Sequence, residues 1–164
     1  MRKYETLEHL FDLAGNLSLR DGGVLVWQRD VGRGRAGDEV GYLDLDGYLR
    51  FRFRGHEYRA HRVIFALTHG AWPDGEVDHL NGQRRDNRPE NLRDVPRRTN
   101  AENRRSATPG SGTGFLGVSY FGRKYQAQIT VGGKKMHLGG FSTPEAAHQR
   151  YLDVKRAFHN GNTL

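Results

Sequence analysis

Residues 77–105, "VDHLNGQRRDNRPENLRDVPRRTNAENRR", decide the fold that this sequence predicts. The stretch contains an adjacent Asp78-His79 pair, five asparagines and a large excess of arginine. Asparagine forms helices and strands poorly, and burying its amide without hydrogen-bond partners costs free energy. The repeated use of asparagine directly after a carboxylate and an imidazole therefore indicates a functional site with specific hydrogen bonds rather than an ordinary surface loop.

The stretch divides into four predicted elements, namely a strand at 77–80, an irregular loop, a second strand at 91–95 and a helix at 97–105. This order places His79 on the first strand, Asn91 at the start of the opposing strand and Asn100 on the helix. Because the two strands pair and the helix follows directly, we expect these three side chains to meet at one small site.

Phosphodiester hydrolysis fits these residue types, because it needs a base that activates water and a cation that stabilises negative charge. His79 is suited to act as the base near neutral pH. Asp78 and Asn100 offer a carboxylate and an amide oxygen, which suit Mg²⁺ or Mn²⁺ better than a tight Zn²⁺ cage. Asp78 points away from His79 in a regular strand, but a strand end can turn it toward a metal. Asn91 can hold the reactive tautomer by accepting a hydrogen bond from the second imidazole nitrogen.

The same residues closely resemble the ββα-metal motif of HNH endonucleases, particularly the phage homing endonucleases. "VDHLNG", "DNRPENLRDV" and "TNAEN" occur in the order of that motif and at compatible spacing, within a resemblance that covers about residues 40–105. The resemblance implies that His79 is the general base, that Asp78 and Asn100 are metal ligands and that Asn91 orients His79. Other HNH nucleases have histidine where this chain has Asn100, which weakens the metal site and argues against firmly bound Zn²⁺.

Other polar residues of this region receive lesser roles. Asn103, one turn beyond Asn100, is the alternative ligand, and Asn87 is expected to stabilise the loop. His61 precedes a predicted helix at 61–70, where we expect a helix cap or a core residue rather than a ligand. The remaining histidines considered have no functional group around them in the sequence: His56, His69 and His148.

The charge of the chain predicts a polyanionic partner. It has 26 Lys+Arg against 19 Asp+Glu and a net charge of +7, which is typical of nucleic-acid-binding proteins. Residues 1–46 carry six basic and nine acidic side chains, residues 47–105 carry thirteen and eight, and residues 106–164 carry seven and two. The positive charge therefore belongs to the last two thirds of the chain, and we expect double-stranded DNA as the partner.

Other classes of protein are excluded by composition. The chain has no cysteine, so it has neither a disulfide framework nor a thiolate zinc site. No apolar run approaches the roughly 18–20 residues of a membrane span, and the mixed acidic and basic N-terminus argues against a signal peptide. We therefore expect a monomer without membrane contact, in the cytoplasm of a bacterial host cell and associated with its nucleoid.

Five arginines in two places are expected to contact DNA. The segment "YLRFRFR" alternates apolar and basic residues, which predicts a half-buried strand whose exposed face carries Arg50, Arg52 and Arg54. Arg84 and Arg85 lie in the loop of the asparagine-rich stretch. We expect these side chains to contact backbone phosphates.

The C-terminal third predicts a separate small module. Residues 106–113 are uncharged and rich in Gly, Ser and Thr, which predicts a flexible linker. The segments that follow are predicted as strands at 115–121, 124–131 and 134–141 and as a helix at 142–161, which Ser142 or Thr143 caps and Gly161 ends. The apolar stripe of this helix consists of Ala147, Tyr151, Val154 and Phe158. We expect the stripe to pack on one face of a three-stranded sheet, against Ala127, Ile129, Val131, Met136 and Leu138.

The other face of that sheet carries the polar side chains Arg123, Lys124, Gln126, Gln128, Lys135 and His137, which suit phosphate and base-edge contacts. "GV", the "A-x-I" strand, "LGGF" and "T-P-E-A-A…Y" resemble the plant ethylene-response-factor DNA-binding domain over about residues 114–160. The resemblance implies that the sheet reads DNA. Because Ser119, Gln126, Gln128 and His137 largely replace the arginines and tryptophans of the plant sheet, the DNA sequence preference does not carry over.

The predicted fold class is α+β, a ββα-metal HNH nuclease module linked to a three-stranded antiparallel sheet packed on one helix. The predicted division is an N-terminal segment at 1–46, the nuclease module at 47–105, the linker at 106–113 and the DNA-binding domain at 114–164. The expected function is site-specific, metal-dependent hydrolysis of DNA phosphodiester bonds by a homing-type endonuclease. A non-catalytic DNA-binding regulator is the alternative, and it would tolerate loss of His79. An RNA-binding protein would need exposed stacking aromatics, of which the predicted sheet face has few.

Overall fold

The structure, a computed structural model, describes residues 4–102, 104, 106–108 and 110–159. Its described part is mixed α+β with small antiparallel sheets, which confirms the predicted class. The chain forms two compact units, Met1–Arg97 and Arg98–Leu164. The predicted alternative ligand Asn103 and the predicted helix end at Gly161 lie outside the described residues.

The first unit contains two helices and seven strands among its described residues. In chain order they are α1 (Leu7–Ala14), β1 (Leu17–Arg20), β2 (Val24–Trp27), β3 (Tyr42–Leu43), β4 (Leu49–Phe53), β5 (His56–Arg59), α2 (Ala60–His69), β6 (Glu76–His79) and β7 (Leu92–Val95). A short 3₁₀ turn, Pro89–Asn91, precedes β7. The pairs β1–β2 and β6–β7 are two-stranded sheets, and β3, β4 and β5 form a three-stranded sheet in that order. Helix α3 (Arg97–Glu102) follows β7 and crosses the division between the units.

One apolar core joins the first 46 residues to the segment that follows them. Leu13 of α1 and Leu25 of β2 are fully buried, and they belong to the same cluster as Phe51, Val63 and Ile64. Burying such side chains contributes about 1.5–3 kcal/mol each. The sequence did not predict strand β1, whose pairing with β2 brings Leu17 and Trp27 into this core. Residues 1–46 are thus part of the structural unit that contains β6 and β7.

The alternation in "LRFRF" is confirmed, because Phe51 and Phe53 of β4 are buried and Arg52 is exposed. Strand β5 leads directly into α2, and Arg59 is the residue before its first turn. The helix ends as predicted at Gly70, whose positive φ of 70° is accessible to glycine at little cost. The β4–β5 hairpin therefore continues into α2 without an intervening loop.

Strands β6 and β7 form the predicted hairpin, with Asp78 opposite Arg93 and His79 opposite Leu92. The loop between them ends in the 3₁₀ turn, so Asn91 precedes the second strand rather than beginning it. The Asp94 carboxylate accepts hydrogen bonds from the backbone N–H groups that precede β6. This hairpin fixes which side chains of the asparagine-rich stretch face each other.

The second unit has the predicted three-stranded sheet and helix. Its elements are β8 (Val118–Phe121), β9 (Lys124–Val131), β10 (Lys134–Phe141) and α4 (Pro144–Phe158). The strands are antiparallel in the order β10-β9-β8. Thr143 caps α4 by accepting a hydrogen bond from the Ala146 N–H. Gly112 and Thr113, the end of the predicted linker, make hydrogen bonds to β8 through Tyr120 and Val118.

The predicted apolar stripe is confirmed in part. Ala147, Tyr151 and Val154 are buried in a cluster with Ala127 and Ile129. Four predicted core residues behave differently: Phe158 and Met136 are exposed, and Val131 and Leu138 are only partly buried. For Leu138 the reason is a register shift between His137 and Gly139, which interrupts the two-residue alternation of β10. Phe158 is the last residue of α4, at the end of the stripe.

None of the helices in the described part of the chain has the length and apolar content that crossing a membrane requires.

A buried ion pair connects the N-terminus of the first unit to α2. Arg62 donates to both carboxylate oxygens of Glu5 at 2.8 and 2.7 Å, and it also donates to the carbonyls of Gly75 and Pro73. Both charged side chains are nearly inaccessible to solvent, at 7% exposure for Arg62 and 2% for Glu5. The bidentate geometry and the carbonyl acceptors satisfy the guanidinium away from water.

We predict that Glu5→Ala will lower the free energy of unfolding of the full chain by about 3–5 kcal/mol, because it leaves the Arg62 guanidinium buried without its counter-charge. Urea denaturation followed by circular dichroism measures the change. Asp30→Ala, which breaks the exposed Asp30–Arg35 pair, is the matched control and should have little effect. Equal effects of the two substitutions would contradict the importance of the buried pair.

Candidate functional site

His79 is the last residue of β6, and its imidazole is buried, with 4% of the residue exposed. Its Nε2 lies 3.0 Å from Oδ1 of Asn87, which is also buried. An amide oxygen only accepts hydrogen bonds, so Nε2 carries the hydrogen and donates it. In the neutral ring the lone pair is then on Nδ1, which is the atom able to take a proton.

Burial lowers the pKa of His79 below its usual value near 6.5, and the hydrogen bond to Asn87 opposes that shift without cancelling it. The nearby carboxylates of Asp78 and Asp86 also favour the protonated ring, and the Arg84 guanidinium disfavours it. The imidazole is therefore predominantly neutral at pH 7. A neutral imidazole is the form that can accept a proton from water.

The hydrogen-bond partners of Asn87 and Asn91 are exchanged relative to the prediction. The sequence predicted that Asn91 would orient the imidazole and that Asn87 would stabilise the loop. The Asn91 amide instead makes all its hydrogen bonds within the loop, to the Asn81 amide, the Asn81 N–H and the Asp86 carbonyl. The 3₁₀ turn directs Asn91 back into the loop, so the buried amide that reaches the imidazole comes from Asn87.

Asn81 and Asp86 complete the network that holds this loop in shape. Asn81 donates to the Asp86 carboxylate at 2.7 Å and accepts from the Gln83 N–H. The Arg88 guanidinium hydrogen-bonds to Asp86 and lowers the pKa of that carboxyl to about 2. Amide side chains serve here because each one is both donor and acceptor. The asparagines therefore replace the backbone pairing that an irregular loop lacks.

Gly23, in the turn between β1 and β2, packs directly against the backbone of Asn87. A Cβ atom at this position would lie 2.2 Å from the backbone carbonyl carbon of Asn87, and the residue has φ of +77°. Both the positive φ and the close backbone approach require glycine. The β1–β2 hairpin thus fixes the position of Asn87, the residue that hydrogen-bonds to His79.

His61 and Tyr48 surround the imidazole of His79. The ring centroid of His61 lies 5.1 Å from that of His79 in an edge-to-face arrangement, and Tyr48 lies 6.0 Å from His79 and 5.1 Å from His61. His61 is buried in the first turn of α2. It was expected to be a cap or core residue, and no local pattern indicated Tyr48. Their position depends on packing between the β4–β5 hairpin, α2 and β6.

Two arginines contact the ring of Tyr48. The guanidinium carbon of Arg59 is 4.9 Å from the ring centroid and that of Arg84 is 5.0 Å away. Arg84 also donates to the Asp46 carbonyl at 2.6 Å. Arg84 was among the predicted DNA-binding residues, whereas Arg59 was not. The site therefore combines two imidazoles with two guanidinium groups around one tyrosine.

Asp78 faces away from His79 because adjacent residues of a strand point to opposite faces. Arg93, its partner across the hairpin, donates to Asp78 Oδ2 from Nε at 3.1 Å and from Nη2 at 2.8 Å. A carboxylate has about four acceptor positions, so this pairing is compatible with Asp78 as a metal ligand. Asn100, the other predicted ligand, lies on α3 in the second unit, and its role stays a prediction.

Among the described residues, no group of three or more His, Asp or Glu side chains is arranged to hold a metal ion. Mg²⁺ commonly keeps several waters and uses only one or two carboxylates, with substrate phosphate completing its shell. The single carboxylate of Asp78 fits such a site and does not fit a closed zinc cage.

The predicted arginine face of β4 is less available than expected. Arg50 pairs with both Asp44 and Glu57, and Arg54 pairs with Asp12. Arg52 and Arg85 are exposed. A guanidinium that already has a carboxylate partner must exchange it to bind a phosphate, so Arg50 is a weaker candidate for DNA contact than the sequence predicted.

On the second unit, a chain of hydrogen bonds crosses the polar face of the sheet. The Gly139 N–H donates to His137 Nδ1, so Nε2 carries the hydrogen and donates to Gln126 Oε1 at 3.1 Å. The Gln126 amide nitrogen in turn donates to Ser119 Oγ at 3.0 Å, and the Gln128 amide lies 3.5 Å from the same hydroxyl. These bonds fix the orientation of the Gln126 amide.

The remaining predicted residues of this face are exposed: Arg123, Lys124 and Lys135. Phe121 lies opposite Lys124 in the β8–β9 pair and is 66% exposed. Directly opposed residues of an antiparallel pair share a face, so this aromatic ring joins the polar side chains. The sequence predicted few exposed aromatics on this face, and Phe121 is an exception.

Comparison with known proteins identifies one family. Residues 58–102 match the model of the HNH endonuclease family. This segment, about a quarter of the chain, runs from β5 into α3 and contains Asp78, His79 and Asn100. The match supports an HNH nuclease domain and suggests a hydrolase that cleaves DNA. HNH nucleases generally use a divalent metal. No curated protein and no solved structure matches the chain.

We predict that Asn87→Ala will lower the pKa of His79 further, because the substitution removes a hydrogen bond that favours the protonated ring. Histidine ring carbon resonances, followed by NMR through a pH titration of the full chain, measure the pKa. Asn91→Ala is the matched control and should shift the pKa less, since its amide bonds only to the loop. A larger shift from Asn91→Ala would restore the role that the sequence assigned to it.

Proposed function

We propose that this protein is a site-specific, metal-dependent DNA endonuclease of the homing type, with His79 as the general base. The observation that carries the proposal is the buried imidazole of His79, held by Asn87 within the segment that matches the HNH endonuclease family. Its lowered pKa keeps the ring neutral at pH 7. In this mechanism Nδ1 takes a proton from water as the water attacks the phosphorus of a phosphodiester.

Asp78, with Asn100 as the second ligand expected from the sequence, would hold Mg²⁺ or Mn²⁺ beside the imidazole-bearing strand. When bound, the cation stabilises negative charge on the phosphate and on the leaving oxygen. Arg93 pairs with Asp78 and so orients its carboxylate. Asn87 keeps the hydrogen on Nε2 throughout, which directs the proton from water to Nδ1.

A division of labour between modules is part of the proposal. Residues 47–105 would cut the DNA, residues 114–164 would select the site as a domain similar to the plant ethylene-response factors, and 106–113 would link them. The support is the polar sheet face, on which His137 and Ser119 fix the Gln126 amide. A fixed amide can form paired hydrogen bonds with a base edge at less entropic cost than a mobile one.

We predict that His79→Ala will reduce nicking of supercoiled plasmid in Mg²⁺ by about 100- to 10,000-fold, the contribution of a general base. Affinity in a gel-shift titration should stay within a few-fold, because the buried ring does not dock DNA. EDTA should stop cleavage by the unaltered chain, and Mg²⁺ or Mn²⁺ should restore it. Nicking by His79→Ala at the rate of the unaltered chain would exclude His79 as the base. If the unaltered chain binds DNA but never nicks it, the non-catalytic regulator is favoured.

The same assay has a defined pH dependence. Protonated His79 cannot accept a proton, so cleavage should be weak at low pH and rise as the ring loses its proton. Because burial lowers the pKa of His79 below 6.5, the rate at pH 6.5 should already exceed half of its plateau value.

We also predict that Gln126→Ala combined with Gln128→Ala will reduce the ratio of target to random-duplex affinity by about tenfold or more. The target is first selected from a randomised duplex pool with the unaltered chain. The slope of affinity against salt should hardly change, since glutamine displaces no counterions. Gln149→Ala, on the exposed side of α4, is the control. An unchanged ratio in the double variant would remove the sheet as the reader.

A further inference from the structure

Arg59 and Arg84 share one aromatic ring although both carry positive charge. Their guanidinium carbons lie 4.9 and 5.0 Å from the centroid of Tyr48, so they are no more than about 10 Å apart. At that separation two like charges repel each other, although solvent screens part of the repulsion because Arg84 is exposed. Attraction to the ring offsets part of this repulsion, and an anion bound near both groups would offset more of it.

Neither of these arginines has a carboxylate partner. Among the residues that the structure describes, no carboxylate lies within salt-bridge distance of Arg59 or Arg84. The first turn of α2, which follows Arg59, contains no acidic residue. Six other arginines of the unit do have carboxylate partners, namely Arg35, Arg50, Arg54, Arg62, Arg88 and Arg93. What sets Arg59 and Arg84 apart is that both contact one ring, that of Tyr48.

The position of the pair indicates which anion it serves. Tyr48, which both guanidinium groups contact, lies 6.0 Å from the imidazole of His79 and 5.1 Å from that of His61. The planar fork of a guanidinium matches two oxygens of a phosphate. We infer that Arg59 and Arg84 together bind the phosphodiester group that is cut, an inference that rests on the proposed nuclease function.

Tyr48 is a positioning residue in this arrangement. Its ring contacts the guanidinium group of each arginine, and the Asp46 carbonyl accepts a hydrogen bond from Arg84 at 2.6 Å. The guanidinium groups are thereby held before substrate arrives, which reduces the rotamer entropy lost on binding. This account explains why the β3–β4 turn, which supplies Asp46 and Tyr48, lies against the loop after His79.

Two guanidinium groups at the reacting phosphate act mainly on the transition state. Negative charge on the phosphate oxygens changes as water attacks and the leaving oxygen departs, and donors held in place stabilise that change. Removing one of them should therefore slow cleavage more than it weakens binding, because many other cations contribute to affinity along the duplex.

The test compares Arg59→Gln and Arg84→Gln with Arg33→Gln in the full chain. Arg33 is an exposed arginine of the same unit that has no assigned role, and it serves as the matched control. Under single-turnover conditions with saturating protein, each of the first two variants should cleave plasmid about tenfold to a hundredfold more slowly. Arg33→Gln should cleave at a rate within a few-fold of the unaltered chain, and all three variants should keep their DNA affinity within a few-fold.

Tyr48 provides a second comparison. Tyr48→Phe keeps the ring and should retain most activity, whereas Tyr48→Leu removes the surface that both arginines contact and should resemble the arginine variants. Arg59→Lys and Arg84→Lys preserve charge without the fork and should recover only part of the rate. If a glutamine variant fails to fold, the cleavage rate of the corresponding lysine variant is measured instead.

A second readout separates this inference from the proposed function. Inorganic phosphate titrated into the unaltered chain should shift the NMR ring resonances of Tyr48 and His79, and the shifts should be lost in Arg59→Gln and Arg84→Gln. If the chain shows these shifts but never nicks DNA, the nuclease proposal fails and the anion site stands. If cleavage and phosphate shifts in both variants equal those of Arg33→Gln, the inference is overturned.

Discussion

The first unit is organised around one constraint, which is that a buried imidazole must have a hydrogen-bond partner. His79 meets this constraint through the Asn87 amide, 3.0 Å from Nε2, and an unpartnered polar nitrogen at this depth would cost free energy. To bring that amide into place, the loop after β6 must hold an irregular path. The hydrogen bonds of Asn81 and Asn91 maintain that path, and Gly23 allows the first hairpin to press against the Asn87 backbone. Sequence features that lie far apart thus serve one side chain.

A neutral partner for His79 has a chemical consequence. A carboxylate in place of the Asn87 amide would stabilise the imidazolium and raise the pKa of His79, and a larger fraction of the rings would then carry a proton at neutral pH. The amide fixes the ring and its tautomer without that penalty. Arg84 acts in the same direction, because its guanidinium disfavours a positive charge on His79. Asparagine is therefore suited to this position by its lack of charge as well as by its shape.

The sequence predicted features that depend on local signals. Alternation identified β4 with buried Phe51 and Phe53, and the position of Gly70 identified the end of α2. Features that depend on tertiary packing were missed. Asn87 and Asn91 are the same residue type in one loop, so only the three-dimensional path distinguishes the one that reaches His79. Arg59 and Tyr48 come from separate strands and turns, and no periodicity brings them together. The pairing of Arg50 with Asp44 and Glu57 follows from cross-strand register, which the arginine count alone does not reveal.

The core that joins α1 and the first hairpin to α2 determines how much of the chain must accompany the family-matched segment when it is moved into another protein. The segment that matches the nuclease family begins at residue 58, yet Leu13, Leu25 and Gly23 lie upstream and either fill its core or support its loop. Glu5 neutralises the buried guanidinium of α2. A chimaera that transplants only the matched segment onto another DNA-binding domain would therefore carry the reactive side chains without their scaffold. A transferable segment would need the first unit together with α3, which carries Asn100, and it would begin upstream of α1 rather than at residue 58.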